Sequence, residues 1–398
     1  MVNMKLNTFP LSKLPFDLLV NILSFSIKHE NSKVINSQLI YVCRFFAKAA
    51  IPLVWKHLYL QEPTQRKIFK VLQTCLTSPS SKLLFNYKFM VKRITISPLS
   101  ISNINGLLQT LELVKNNLPN LSSLNIEDKL SLCHSCHFSK EATTDQLADL
   151  LLYFSKNLNE LCLDSDHSTF NDELLEIICP KFSNLRKLSI NGSNFTDEGI
   201  LEYVIPNLKD NLIEFSASRD GISPNCLTGN TVLALLENCY QLKSLSLDGI
   251  NLSDKDFIGE DLPLSNLEYL WLGKTCEPEN FTAQGLFSLL ITCNESLTTL
   301  VLDLDHLSSF VFHNIIIPLF QNQKLQELHL VSDSWAGWTA NYPRPRSEQE
   351  FRAKEAMCIW RLKVYLGITN EMINLIGEKL STLKVFSILG ENYLKSTI

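Results

Sequence analysis

The chain has 398 residues, 45% of them hydrophobic and 19% charged, with a formal net charge of −5. That length suffices for one large core, or for a small domain joined to an elongated array, and the acidic balance points away from a nucleic-acid backbone or an anionic membrane as partner. No apolar run approaches the roughly 18–20 residues a membrane helix needs, and Pro10, Ser12, Lys13 and Pro15 break the N-terminal apolar character before the core of a signal peptide can build.

Taken in chain order, Leu14-Pro15-Phe16-Asp17-Leu18-Leu19-Val20-Asn21-Ile22-Leu23 opens a helix, with Pro15 suited to the first helical position and Ser12 or Lys13 where the cap would sit. Positions 15, 18, 19, 22 and 23 form one apolar face at 3.6-residue spacing. The polar stretch Lys28 to Lys33 interrupts it. A second apolar segment runs through Leu39, Ile40, Val42, Phe45, Phe46, Ala49 and Ala50, Pro52 ends or kinks it, and Val54-Trp55-Lys56-His57-Leu58 follows. A unit this small cannot bury so many large apolar side chains within itself. Two readings follow: the helices cap whatever comes next, or they dock on a partner, where each buried Leu, Phe or Trp would contribute roughly 1.5–3 kcal/mol.

The order Leu14-Pro15-x-Asp17-Leu18-Leu19-x-x-Ile22-Leu23, then Val42-Cys43-Arg44-x-Phe46, then Leu53-Val54-Trp55-Lys56-x-Leu58 resembles the F-box motif. The resemblance implies a three-helix hook that docks on the Skp-family adaptor, and through it the cullin, of a cullin–RING ubiquitin ligase. It implies first-helix contacts from Leu14, Pro15, Leu18, Ile22 and Leu23, with Val42, Phe46 and Trp55 continuing the surface. The linker from Ser24 to Gln38 is longer and more polar than is usual in that family.

Beyond a connector that reads as an amphipathic helix from Gln65 to Thr77, an apolar triplet at i, i+3 and i+5 recurs. It begins with Val91/Ile94/Ile96 and Leu121/Leu124/Ile126 and continues through Leu158/Leu161/Leu163, Leu185/Leu188/Ile190 and Leu212/Phe215/Ala217. Leu242/Leu245/Leu247, Leu267/Leu270/Leu272, Leu297/Leu300/Leu302 and Leu325/Leu328/Leu330 follow, and then Ile359/Leu362/Val364 and Leu383/Phe386/Ile388. The last two leucines of such a triplet share one face of a short strand, and the first lies in the bend before it. A mean period of about 29 residues sits at the long end of leucine-rich repeats, so each return segment should be a helix. Leu147 to Phe154, Thr231 to Glu237 and Gln284 to Ile291 cluster helically. Ser, Thr and Asp at the corners, as in Thr196-Asp197 and Ser253-Asp254, suit the capping of the next helix.

The predicted fold class is α/β: an F-box at 9–60, a helical connector at 61–88, and a curved repeat solenoid at 89–398 of about 10–11 coils. Strands would line its concave face and helices its convex face, with insertions near 128–144 and 331–356. The 11 cysteines are scattered and odd in number, as expected of reduced thiols in a cytoplasmic or nuclear protein. Cys179, Cys239 and Cys293 fall near predicted helix ends, which is similar to the cysteine-containing leucine-rich subfamily that commonly follows an F-box.

Two motifs look chemical. Cys133-His134-Ser135-Cys136-His137 has the form used for haem attachment, but it lies in an insertion and reads as a loop. Gly273-Lys274-Thr275 hints at a phosphate-binding loop, but Glu268 stands where the upstream glycine is required. Neither carries an enzyme assignment, and no catalytic residue, cofactor or metal is expected.

Binding should therefore reside between the strand leucines. Glu160, Asp164, Glu214, Ser246, Asp248, Tyr269, Trp271, Asp303 and Glu327 are the predicted concave-face contacts. They give an acidic surface with two aromatics in mid-array, suited to a protein with a basic patch. The loop from Val331 to Lys354, rich in Trp, Tyr, Pro and Arg, is a second candidate. The sequence as a whole points to the substrate-recognition subunit of a Skp–cullin–F-box ligase holding an unknown protein substrate. The alternative is a repeat scaffold outside any ligase, whose N-terminal helices only cap the array.

Overall fold

The computed structural model describes residues 15–20, 44–60, 87–96, 104–127, 143–165, 169–192, 194–218, 227–257, 265–273, 275, 280–293, 295–303, 319, 322, 324–331, 370–388 and 391–392. The chain divides into two compact units, residues 1–127 and 128–398.

In the first unit the helix Arg44–Lys56 contains Pro52 yet continues to Lys56, where it passes without a break into strand β1, His57–Leu60. β1 pairs in parallel with β2, Arg93–Ile96, and β2 with β3, Ser123–Glu127. The helix Ile104–Asn117 returns the chain from β2 to β3 and buries Leu107, Leu111 and Val114, three successive turns of one face. The parallel sheet thus starts earlier than the array predicted from residue 89. Trp55, Leu58 and Leu60 occupy the i, i+3 and i+5 positions of an additional coil, with Leu60 fully buried.

The second unit carries β4 (Glu160–Asp164), β5 (Lys187–Asn191), β6 (Glu214–Ser218) and β7 (Ser244–Asp248), followed by β8 (Tyr269–Leu272), β9 (Thr299–Asp303), β10 (Glu327–Val331) and β11 (Val385–Ile388). All pair in parallel with their sequence neighbours, and β12, Glu391–Asn392, turns back antiparallel on β11. Repeat-equivalent positions are in register: Leu245 pairs with Phe215 on one side and Leu270 on the other, and Leu247 with Ala217 and Leu272. The alternate burial of each strand follows from the pleat, with the leucines facing the helices and the intervening residues facing out. Leu242, Leu245 and Leu247 are each at most 2% exposed, so the triplet fills the interior column.

β10 hydrogen-bonds directly to β11, and the sequence places a further coil at Ile359/Leu362/Val364. Those residues lie outside the described ones, as do the connector at 65–77 and both predicted insertions' interiors. The next described strand after β10 is Val385–Ile388.

Successive coils are tied at both corners by side chains. At the strand-to-helix corner, Thr196 caps its helix as expected, accepting from the Gly199 amide, and Thr228 and Thr282 do the same for the amides of Asn230 and Gln284. Each cap also reaches sideways. The amide and hydroxyl of Thr196 donate to Asp172 of the preceding coil at 3.0 and 2.5 Å. Those of Thr228 donate to Asp197 at 2.8 and 2.5 Å, and those of Thr282 to Asp254, both at 2.6 Å. Room for these carboxylates comes from glycine: a Cβ on Gly199 would lie 2.0 Å from Asp172 Oδ1, and one on Gly285 2.4 Å from Asp254 Oδ1. At the helix-to-strand corner, asparagine amides donate back to the preceding coil, Asn184 to the Lys156 carbonyl and Asn211 to that of Ser183, both at 2.9 Å. Gly192 and Gly249, with φ of 129° and 65°, make the left-handed exits from β5 and β7.

Cys179, Cys239 and Cys293 are buried against the column, and burial pushes each thiol up to about 12. They are packing residues, inert as nucleophiles at neutral pH. Among the described residues, no helix is long and apolar enough to cross a membrane.

Candidate functional site

The outward-facing residues of β4–β11 form two well-defined rows. One reads Glu160, Lys187, Glu214, Ser244, Tyr269, Thr299, Glu327 and Val385, and the other Cys162, Ser189, Ser216, Ser246, Trp271, Val301 and His329, continued in register by Ser387, which is buried. The register therefore brings most of the predicted concave-face residues together on one open surface. Charge is partly settled within it, since Lys187 and Glu214 make an ion pair at 2.5 Å with both side chains about two-fifths exposed. An exposed pair of this kind contributes at most about 1 kcal/mol.

The face changes character at β8. Ser189, Ser216 and Ser246 form a low shelf, and Trp271 stands at its edge, paired in register with Ser246 behind it and Val301 ahead. Tyr269 stands beside it, between Ser244 and Thr299. Both aromatics are half-buried. Burial and, after it, the Glu327 carboxylate raise the Tyr269 hydroxyl above its ordinary value of 10.0, so Glu327 acts electrostatically across β9. Glu327 is held by His329, whose Nε2 lies 3.5 Å from Glu327 Oε2 while Nδ1 lies 2.6 Å from the Ser387 hydroxyl.

Two predicted contacts take other roles. Asp303 is only 2% exposed. The alternation of β9 fails at its exit, where Leu302 and Asp303 are both buried, so this carboxylate is engaged within the protein and is not offered to a partner. Asp248 is half-buried, and its carboxylate lies over the backbone of Gly273, where a Cβ would approach Oδ1 to 2.3 Å. Glu160, Asp164, Glu214, Ser246, Tyr269, Trp271 and Glu327 keep partial exposure.

The first unit has its own candidate surface. In the helical segment 16–20 the Leu19 amide donates to the Pro15 carbonyl at 3.1 Å, so Pro15 sits just before the first helical residue. Leu19 is 1% exposed and packs on Ala49 and Ala50, with Val20 and Leu53 against them. The small alanines allow this close approach. Leu18 and Phe16 point away, 47% and 43% exposed. Of the predicted adaptor contacts, Pro15 and Leu18 are thus on the surface, Phe46 lies in the helix Arg44–Lys56, and Trp55 is half-buried at the foot of β1. Leu14, Ile22, Leu23 and Val42 lie outside the described residues, as does the Cys133–His137 motif. Phe16 was not among the predicted contacts, because an apolar residue off the periodic face is distinguishable only once its neighbour's burial is known.

No protein-family model matches the chain, and no curated protein matches it. Among solved structures, the crystal structure of the yeast Rad7 and Elc1 complex is similar over 96% of this chain and 89% of that chain, at 15% identity and a TM-score of 0.47. A likeness at that distance carries no argument about function.

Proposed function

We propose that this protein is the substrate-recognition subunit of a Skp–cullin–F-box-type ubiquitin ligase, holding an adaptor through its N-terminal helices and a protein target on the open face of its repeat sheet. The observation that carries the reading is the N-terminal segment itself. Leu19 anchors it on Ala49 and Ala50 while Phe16 and Leu18 remain outside, 43% and 47% exposed. Large apolar side chains exposed on an anchored helix are the pattern of a docking surface, and they fall within the stretch that resembles an F-box. The open face supplies a second, chemically different surface, polar with a central aromatic pair, of the kind that recognises protein. No residue has to perform covalent chemistry. Tethering would raise the target's effective concentration near the ubiquitin-carrying enzyme. The reading carries with it cullin as an indirect partner and a cytoplasmic or nuclear location.

A scaffold reading has one observation in its favour: the helix Arg44–Lys56 runs directly into β1, as a capping helix would. Co-expression of the full chain with a Skp-family adaptor separates the two. The ligase reading expects a stoichiometric complex that Phe16→Ser with Leu18→Ser dissociates while the array stays folded. The scaffold reading expects none.

A further inference from the structure

The register of β8, β9 and β10 sets large side chains on either side of small ones, a recess that the row of acidic residues alone does not reveal. Across β9 the register sets Tyr269 opposite Glu327 with Thr299 between them, and Trp271 opposite His329 with Val301 between them. Two strand spacings separate the walls, about 9.5 Å at 4.7–4.9 Å per strand. The recess therefore has an aromatic wall, a floor of two small β-branched residues, and a wall made of a carboxylate and an imidazole. Its width suits one flat side chain.

The chemistry of the walls selects the occupant. Glu327 is 47% exposed, and its ion-pair neighbour is His329, which is charged only when protonated. The carboxylate is oriented by that imidazole, itself fixed by the Ser387 hydroxyl at 2.6 Å. The charge reaches across the floor, since it contributes to raising the Tyr269 hydroxyl. Elsewhere on the face Lys187 is taken up by Glu214 at 2.5 Å. A cation entering the recess would meet an aromatic face on one side and a negative charge on the other, the pairing that favours guanidinium over ammonium because guanidinium stacks as well as pairs.

We infer that the recess over β9, between Tyr269/Trp271 and Glu327/His329, receives an arginine side chain from an extended basic segment of the bound protein. This rests on the target-binding reading of the open face and specifies its chemistry.

The test is selection of short random peptides on the immobilised full chain, followed by fluorescence anisotropy with the strongest binder. The variants are Trp271→Ala, Glu327→Gln and, as a control, Tyr240→Ala, an aromatic 69% exposed outside the recess. Selected peptides should share an arginine. Trp271→Ala and Glu327→Gln should each weaken binding by about fivefold or more, the size of a partly desolvated cation–aromatic or charge contact. Replacing the peptide's arginine by glutamine should do the same, and Tyr240→Ala should change nothing. Since the recess residues are half-exposed, unchanged urea midpoints will show that the variants are folded. The inference is overturned if no peptide is selected, if the selected peptides lack an arginine, or if binding ignores Trp271→Ala and Glu327→Gln. Adaptor binding is measured separately, so the recess can fail while the ligase reading stands, and the reverse.

Discussion

Gly199→Ala sets two physical effects against each other. Gly199 is helical, and replacing a helical glycine by alanine ordinarily stabilises by about 0.8–1 kcal/mol. Here the new Cβ would lie 2.0 Å from Asp172 Oδ1, which no real contact tolerates. The carboxylate must leave, and with it go the bonds from the Thr196 amide at 3.0 Å and hydroxyl at 2.5 Å. Hydrogen bonds to a charged group contribute roughly 1.5–3 kcal/mol each, and at this partly exposed corner the lower value applies to the pair together. With some strain added, the net effect should be a loss of about 1–2 kcal/mol. The assay is equilibrium urea unfolding of a double-mutant cycle with Asp172→Ala. In the Asp172→Ala background the same Gly199→Ala change should be neutral or stabilising by up to about 1 kcal/mol. Equal effects of Gly199→Ala in both backgrounds would refute the claim that inter-coil carboxylates dictate the glycines.

Three further outcomes follow from the packing. Leu245→Ala removes a fully buried column residue and should cost about 2–5 kcal/mol in urea unfolding, while peptide affinity at the β9 recess stays unchanged below the transition. Asn322 is 3% exposed, donates to the Leu297 carbonyl at 3.1 Å and accepts from the Leu325 amide at 3.0 Å, so Asn322→Ala should cost about 1–3 kcal/mol by the same assay. The thiols of Cys179, Cys239 and Cys293 should resist iodoacetamide at neutral and mildly alkaline pH until the chain unfolds, as followed by mass spectrometry. Their pKa values are raised from 9.0 to about 12, so their contribution is complete below pH 9 and is lost as pH rises towards 12.

The repeat column was legible because its signal is redundant: Leu242, Leu245 and Leu247 resemble every other coil, and burial follows from strand alternation. The helix caps were legible too, since Thr196 and Ser253 are good N-caps in any context. What escaped depended on neighbours distant in sequence. Trp55, Leu58 and Leu60 form a coil whose first position is a tryptophan, and the F-box resemblance had already claimed that stretch. The Asp172–Thr196 and Asp254–Thr282 ties cross from one coil to the next, 24 and 28 residues apart. Only coil stacking reveals that Gly199 and Gly285 serve them. Asp303 was expected on the surface because strand alternation was carried to the last residue of β9, where the alternation fails and Leu302 and Asp303 are both buried. The recess over β9 needed the register of three strands, although its aromatic wall stood out in the sequence as two large rings among small polar residues.

The ligase reading requires the N-terminal helices to hold a Skp-family adaptor. Titration calorimetry of the purified full chain against such an adaptor tests it most directly. Phe16 and Leu18 would each contribute roughly 1.5–3 kcal/mol on burial. The account predicts a one-to-one complex that the double change Phe16→Ser with Leu18→Ser weakens by at least about a hundredfold, with the urea midpoint of the array unchanged. No binding by the intact chain, or binding that the double variant retains, would contradict it.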